Sequence, residues 1–150
     1  MPKERNSYFG TDQRNAKKCL IHTDLIEIAI KEAKRSPMNQ KHGCVVVHNN
    51  RIVASAHNHM PPMFNNSVHA EVDALKKVKH KSSLLKECDL YIVRIGPDSS
   101  KNALKYSKPC ASCARFIASC GIRSVFYSTN YEYDMYCQQT KRGSSVPRCT

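Results

Sequence analysis

Two short stretches carry the residue types from which a metal-assisted hydrolytic site can be made. The first, SVHAEVDAL, runs from Ser67 to Leu75 and sets His69 and Glu71 two apart at the head of an apolar-periodic run. The second, KPCASC, runs from Lys108 to Cys113 and sets Cys110 and Cys113 three apart. Either alone is weak. A Cys-x-x-Cys pair serves equally as a redox couple or as half of a structural zinc site, and the first stretch could simply open an amphipathic helix. Together they offer one imidazole and two thiolates. That set suits Zn²⁺ and leaves its fourth tetrahedral position for water, as in catalytic rather than structural zinc sites. Cysteines three apart on a helical turn share a face, and at a helix N-terminus the free N–H groups and the dipole favour thiolates.

Glu71 poses a geometric condition. Two residues along a helix rotate by about 200°, so His69 and Glu71 cannot share a face in mid-helix. Both reach one site if His69 lies at a loop-to-helix junction and Glu71 in the first turn, which the proline-broken HMPPMFNNS before them (His59 to Ser67) allows. A glutamate beside a zinc-activated water can take its proton and return it to a substrate.

The elements needed to bring these stretches together are legible. Leu20, Ile21, Leu25, Ile28 and Ala29 predict an amphipathic helix over 15–35, stopped by Pro37. GCVVVH (Gly43 to His48) and RIVASAHN (Arg51 to Asn58) predict a hairpin turning at Asn49-Asn50. A helix from His69 to about Lys79 and a strand at CDLYIVRI (Cys88 to Ile95) follow. Gly96 to Lys108 is a polar insert. A further helix begins near Pro109 and stops at Gly121, and IRSVFYS (Ile122 to Ser128) is a fourth strand. The order α-β-β-α-β-α-β implies an α/β protein with helices on both faces of a mixed sheet. Residues 1–15 read as a polar leader, 16–140 as one domain and 141–150 as a frayed tail. No repeat or low-complexity segment interrupts them.

Composition constrains the setting. The chain has 150 residues, a length for one core, and no apolar run long enough to span a membrane. Its first twenty residues lack the apolar stretch of a secretory signal, so an intracellular, cytoplasmic or nuclear location is expected. In that setting the eight cysteines point to metal, catalytic or core roles rather than disulfides. Cys120 reads as core, as does Cys19 with His22 despite their Cys-x-x-His spacing. The net charge of +12 favours phosphate-bearing partners. Its local concentration at Lys76, Lys77, Lys79, His80, Lys81 and Lys86 serves equally as a solvated helix face. Tyr127, Tyr131, Tyr133 and Tyr136 could stack on bases or pack the last strand.

His-Ala-Glu followed by Pro-Cys-x-x-Cys resembles the zinc-dependent cytidine/deoxycytidylate deaminase superfamily, which includes tRNA adenosine deaminases and polynucleotide cytidine deaminases. The likeness extends over roughly Ser36 to Ser128. It implies a three-layer α/β/α fold around a mixed sheet of four to five strands. It makes His69, Cys110 and Cys113 the ligands of one catalytic Zn²⁺ and Glu71 the proton shuttle. Asn58 looks like the asparagine that holds the sugar, Ala70 would meet the base edge through its backbone, and Lys108 would touch substrate. His57 and His59, flanking Asn58, either line the pocket or cap the loop.

The implied activity is hydrolytic deamination of a nucleobase, with cytosine in a nucleotide or polynucleotide as the first reading. Adenosine in RNA is the alternative, and a catalytically silent, zinc-containing nucleic-acid-binding subunit the alternative of another class. The implied partners are a nucleotide or single-stranded nucleic acid and copies of the chain, with no membrane. The insert departs from the family pattern and would bring Lys101, Lys105, Tyr106 and Lys108 to the pocket mouth. A fifth strand would have to come from 131–135 or be absent.

Overall fold

Asn49 and Asn50 both adopt positive φ, 51° and 62°, as a two-residue hairpin turn matching the twist of its strands requires. In this computed structural model, which describes residues 22–63, 66–96, 104–130 and 134–139, that turn joins β1 (Lys41–His48) to β2 (Arg51–His57). The predicted hairpin is therefore present, with a register shift between Val46 and Val47. Helix α1 spans His22–Lys34; the predicted beginning of this helix, with Cys19, falls outside the described residues, as do the leader, the tail, Lys101, Tyr131 and Tyr133.

After the loop come α2 (Ala70–Val78), a short α3 (Ser82–Leu85) and β3 (Cys88–Ile95). The chain then forms β4 (Leu104–Lys105), α4 (Ala111–Cys120), β5 (Ser124–Ser128) and β6 (Met135–Gln139). The sheet order is β2-β1-β3-β5-β6, with β4 paired to β3 beside this path. Among the described residues only β3 and β5 pair in parallel, and α4 lies between them in the chain. The sheet is thus mixed, and among the described residues it has six strands rather than four to five. The additional one is β4, two residues inside what the sequence presents as a polar insert. The last strand lies at 135–139, later than the 131–135 expected.

Alternation along β1 divides the core. Val45 and Val47 face α1, joining Leu25, Ile26, Ala29, Tyr91, Val93 and Phe126. Cys44 and Val46 face the other way, joining Ala74, Leu75, Leu90, Ile92 and Ile117 beneath α2 and α4. Fully burying an aliphatic side chain such as Leu75 or Ile92 contributes about 1.5–3 kcal/mol. Gly43 sets the closeness of α1 to β1, since a Cβ there would lie 2.2 Å from the Ala29 carbonyl oxygen.

Cys44, Cys88, Cys110, Cys113 and Cys120 are free thiols, Cys44 and Cys88 being buried and Cys120 packed against the core. Cys137 on β6 is disulfide-bonded, against the all-reduced expectation. No helix among the described residues is long and apolar enough to cross a membrane.

Candidate active site

The two chemical stretches are alike in construction. His69 is the N-cap of α2, with extended backbone at φ −76° and ψ 150°, and its carbonyl accepts the first helical hydrogen bond, from the Asp73 amide at 3.0 Å. Cys110 is the N-cap of α4, at φ −70° and ψ 170°, and its carbonyl accepts from the Ala114 amide at 2.8 Å. In neither case does the side chain cap its own helix. The imidazole and the thiol are thereby free to face each other. This junction geometry resolves the rotation problem. His69 stands just outside the helix, while Glu71, in the first turn, is directed inward and is only 4% exposed.

His69 Nδ1 lies 3.1 Å from Cys113 Sγ and 3.8 Å from Cys110 Sγ. All three donor atoms fall within 4.8 Å of one another. A tetrahedral zinc with bonds of about 2.0–2.3 Å holds its ligand atoms about 3.5–3.8 Å apart, so this donor set fits the ion.

The electrostatics are divided. Cys110, exposed, accepts from the Ser112 hydroxyl and the Cys113 amide, and its thiol falls to about 7. Burial pushes the Cys113 thiol well up, with the Glu71 carboxylate adding to the rise. A divalent cation held by His69, Cys110 and Cys113 would supply the charge that reverses this, because coordination deprotonates a thiol outright. Burial also raises the Glu71 carboxyl above its ordinary range, against a smaller downward pull from its local hydrogen bonds and His69.

His69, Glu71 and Cys110 open into a cavity of about 460 Å³, a size usual for small-molecule sites. Asn58, Ala70 and Lys108 all line it. Asn58 is already engaged: its Oδ1 accepts from the His42 amide at 2.9 Å and its Nδ2 donates to the Gln40 carbonyl at 2.8 Å. It thus fixes the 40–42 segment as the opposite wall.

His42 and Ser107 also line the cavity and were not singled out by sequence. Burial and the nearby Arg94 guanidinium lower His42 to about 4, leaving a neutral imidazole in the wall at pH 7. A histidine opening a strand carries no signal of this kind, and a serine in a polar insert carries still less.

Other expectations are corrected. Neither His57 nor His59 lines the cavity. The His57 ring bonds Glu32 at 2.9 Å, and His59 lies 3.9 Å from Asp73 and pairs through its backbone with Val68. Lys105 and Tyr106 leave this pocket too. Lys105 belongs to a neighbouring cleft, and Tyr106 packs edge-on against Tyr127, which in turn meets Tyr136. His22 bonds the Tyr91 hydroxyl at 2.7 Å, in keeping with a core role.

Helices on both faces of a mixed sheet, with a His-Cys-Cys set at two helix starts whose donor atoms could hold a metal ion, define an α/β protein with a buried carboxylate beside that set. The chain belongs to the cytidine and deoxycytidylate deaminase family, whose zinc-binding region matches residues 20–129. It is similar to the deoxycytidylate deaminase of Schizosaccharomyces pombe, at 27% identity over 134 residues, covering 81% of this chain and 41% of that protein. The chain thus spans less than half the length of that relative.

Among solved structures it resembles cytidine deaminase from Burkholderia pseudomallei in fold, with a TM-score of 0.62, 21% identity and coverage of 81% and 94% of the two chains. It also resembles the dCMP deaminase of cyanophage S-TIM5, with a TM-score of 0.54, 25% identity and coverage of 74% and 84%.

Proposed function

We propose that the chain is a zinc-dependent hydrolytic deaminase acting on cytosine carried by a nucleotide or polynucleotide. The observation that carries this reading is the buried Glu71 beside the His69, Cys110 and Cys113 donors, at the end of a cavity of about 460 Å³. A purely structural metal site has no use for that carboxylate.

His69, Cys110 and Cys113 would hold the zinc, which would supply Lewis acidity and lower the pKa of a water toward about 7. Glu71, whose carboxyl is raised by burial, would take the first proton of the attacking water to the ring nitrogen, where it stays, and then carry the proton of the added hydroxyl to the amine as the carbon–nitrogen bond breaks. The water's oxygen becomes the ring carbonyl and ammonia leaves. Of the residues lining the cavity, the neutral His42 and Ala70 would meet the base, and Asn58 and Lys108 the sugar and its phosphate.

The test is zinc content together with ammonia release from cytidine, deoxycytidylate, single-stranded DNA and RNA. Glu71→Gln is expected to retain zinc and lose about 10²–10⁴-fold in turnover. A Glu71→Gln protein that deaminates at the wild-type rate overturns the mechanism, and release from adenosine-containing RNA alone overturns the base assignment.

A further inference from the structure

Beside the catalytic cavity lies a larger cleft of about 680 Å³, lined by Lys34, Asn39, Gln40, Lys41, Arg94 and Lys105. Its charged lining residues are all cations. None of the four is in an ion pair among the described residues. Like charges gathered around one cavity repel, and an anion within it is the simplest source of relief.

The cleft adjoins the catalytic cavity: Asn39 and Gln40 line both. Gln40 ties them directly. Its Oε1 accepts from the Arg94 guanidinium at 3.4 Å, and its carbonyl accepts from Asn58, in the catalytic wall, at 2.8 Å. The two spaces are therefore compartments of one surface, divided by the Asn39-Gln40 ridge. The first holds the Glu71 carboxylate with His69 and Cys110, and the second holds four cations that meet no carboxylate among the described residues, Lys41 Nζ donating to the Ser36 carbonyl.

We propose that the cleft formed by Lys34, Lys41, Arg94 and Lys105 binds phosphate groups covalently continuous with the nucleoside whose base enters the catalytic cavity. This rests on the deaminase reading and specifies its substrate as one carrying phosphates beyond the first. The same chemistry is offered by the backbone of a single strand or by the outer phosphates of a nucleoside triphosphate. Two sites in the cleft suit a test. Lys34 ends α1 and Lys105 lies on the two-residue β4, and neither lines the catalytic cavity.

The experiment measures binding, so its outcome does not depend on turnover. Fluorescence anisotropy follows the zinc-loaded full chain with a labelled single-stranded twelve-nucleotide DNA containing one deoxycytidine. Deoxycytidine triphosphate and deoxycytidylate serve as competitors. Lys34→Gln/Lys105→Gln is compared with wild type after circular dichroism establishes that both are folded.

The expected result is a loss of about tenfold or more in oligonucleotide affinity, with a salt slope shallower by about 1.4, from two phosphate contacts on a single strand. Competition by deoxycytidylate should move by less than about twofold on the same argument. If the triphosphate weakens and the oligonucleotide does not, the cleft stands with a nucleotide as the source of its phosphates. An unchanged affinity for both overturns the proposal, as does an equal loss for deoxycytidylate or failure of the wild type to bind either phosphate-extended ligand. Ammonia release with wild-type and Glu71→Gln protein judges the deaminase reading separately.

Discussion

The catalytic cavity and the basic cleft share a wall yet are built by opposite means. In the cavity wall, Asn58 and Ser107 are held by networks of hydrogen bonds. Asn58 is bonded at both ends of its amide. Ser107 Oγ donates to the Ile92 carbonyl at 3.0 Å and accepts from the Ser128 amide at 2.9 Å. Ser128 Oγ donates to the Lys105 carbonyl and accepts from the Arg94 amide at 3.2 Å. In the cleft, Lys41 Nζ donates to the Ser36 carbonyl and Arg94 donates to Gln40, but no carboxylate among the described residues pairs with any of the four cations. Bond-making chemistry needs donors placed to within a fraction of an ångström, whereas phosphate capture needs charge at roughly the right distance. Substitutions should therefore act sharply in the cavity and gradually in the cleft.

The sharpest break is at Cys113, which is 2% exposed and 3.1 Å from His69 Nδ1. Cys113→Ala removes one of three protein ligands. Zinc measured by atomic emission is expected to fall from stoichiometric to below about a tenth per chain, with turnover lost entirely, since two donors do not make a closed or a catalytic zinc site. A Cys113→Ala protein that still copurifies with zinc would show that the metal sits elsewhere. Glu71→Gln differs from it in keeping zinc.

A smaller effect is expected one layer out. Ser128 is fully buried and ties β5 to the 104–108 segment that leads into Cys110. Ser128→Ala leaves the Lys105 carbonyl and the Arg94 amide without that hydroxyl, which costs about 1–3 kcal/mol where no water replaces it. It also loosens the approach to a metal ligand. Competition with a chelator should show zinc affinity lower by about tenfold, the lower end of the range for groups that orient ligands. Wild-type zinc affinity in this variant would reduce the serine pair to local packing.

The two regions also differ in how far the sequence discloses them. His69 and Cys110 are legible because a helix start is a local event, and the ligands occupy the same position at two of them. The hairpin and the split core are legible because alternation in GCVVVH is local too. The cleft is not, since Lys34, Lys41, Arg94 and Lys105 come from α1, β1, β3 and β4 and meet only once the sheet is ordered. Density of lysine in sequence points instead to 76–86. There Lys77 donates to the Ser55 carbonyl at 2.7 Å and Lys79 lies over Phe116, neither lining the cavity or the cleft. β4 escapes detection for a related reason: two residues have no period, and only their pairing with Arg94 and Ile95 makes them a strand. His57 misleads because adjacency to Asn58 says nothing of side. Alternation along β2 turns it toward α1, where Glu32 receives it.

That contact supplies the smallest expected effect and a check that the sharp responses belong to the cavity. Glu32 is 9% exposed and accepts from His57 Nδ1 at 2.9 Å, with Arg35 3.4 Å away. Burial alone raises its carboxyl, but the His57 hydrogen bond and the Arg35 charge outweigh it, and the net shift is below the ordinary 4.5. A carboxyl lowered by folding contributes stability above its unfolded pKa and loses it as pH falls through the folded one. Glu32→Gln should therefore lower stability at pH 7 by about 1–2 kcal/mol, the scale for a partly exposed charge-assisted hydrogen bond. The gap to wild type should shrink progressively in denaturant titrations below pH 4.5. Because Glu32 lines neither the cavity nor the cleft, zinc content and phosphate-dependent binding should be unchanged at neutral pH. A gap that widens on acidification would reverse the sign assigned to this carboxyl, and loss of zinc would mean that the wall behind Asn58 transmits strain to the metal donors.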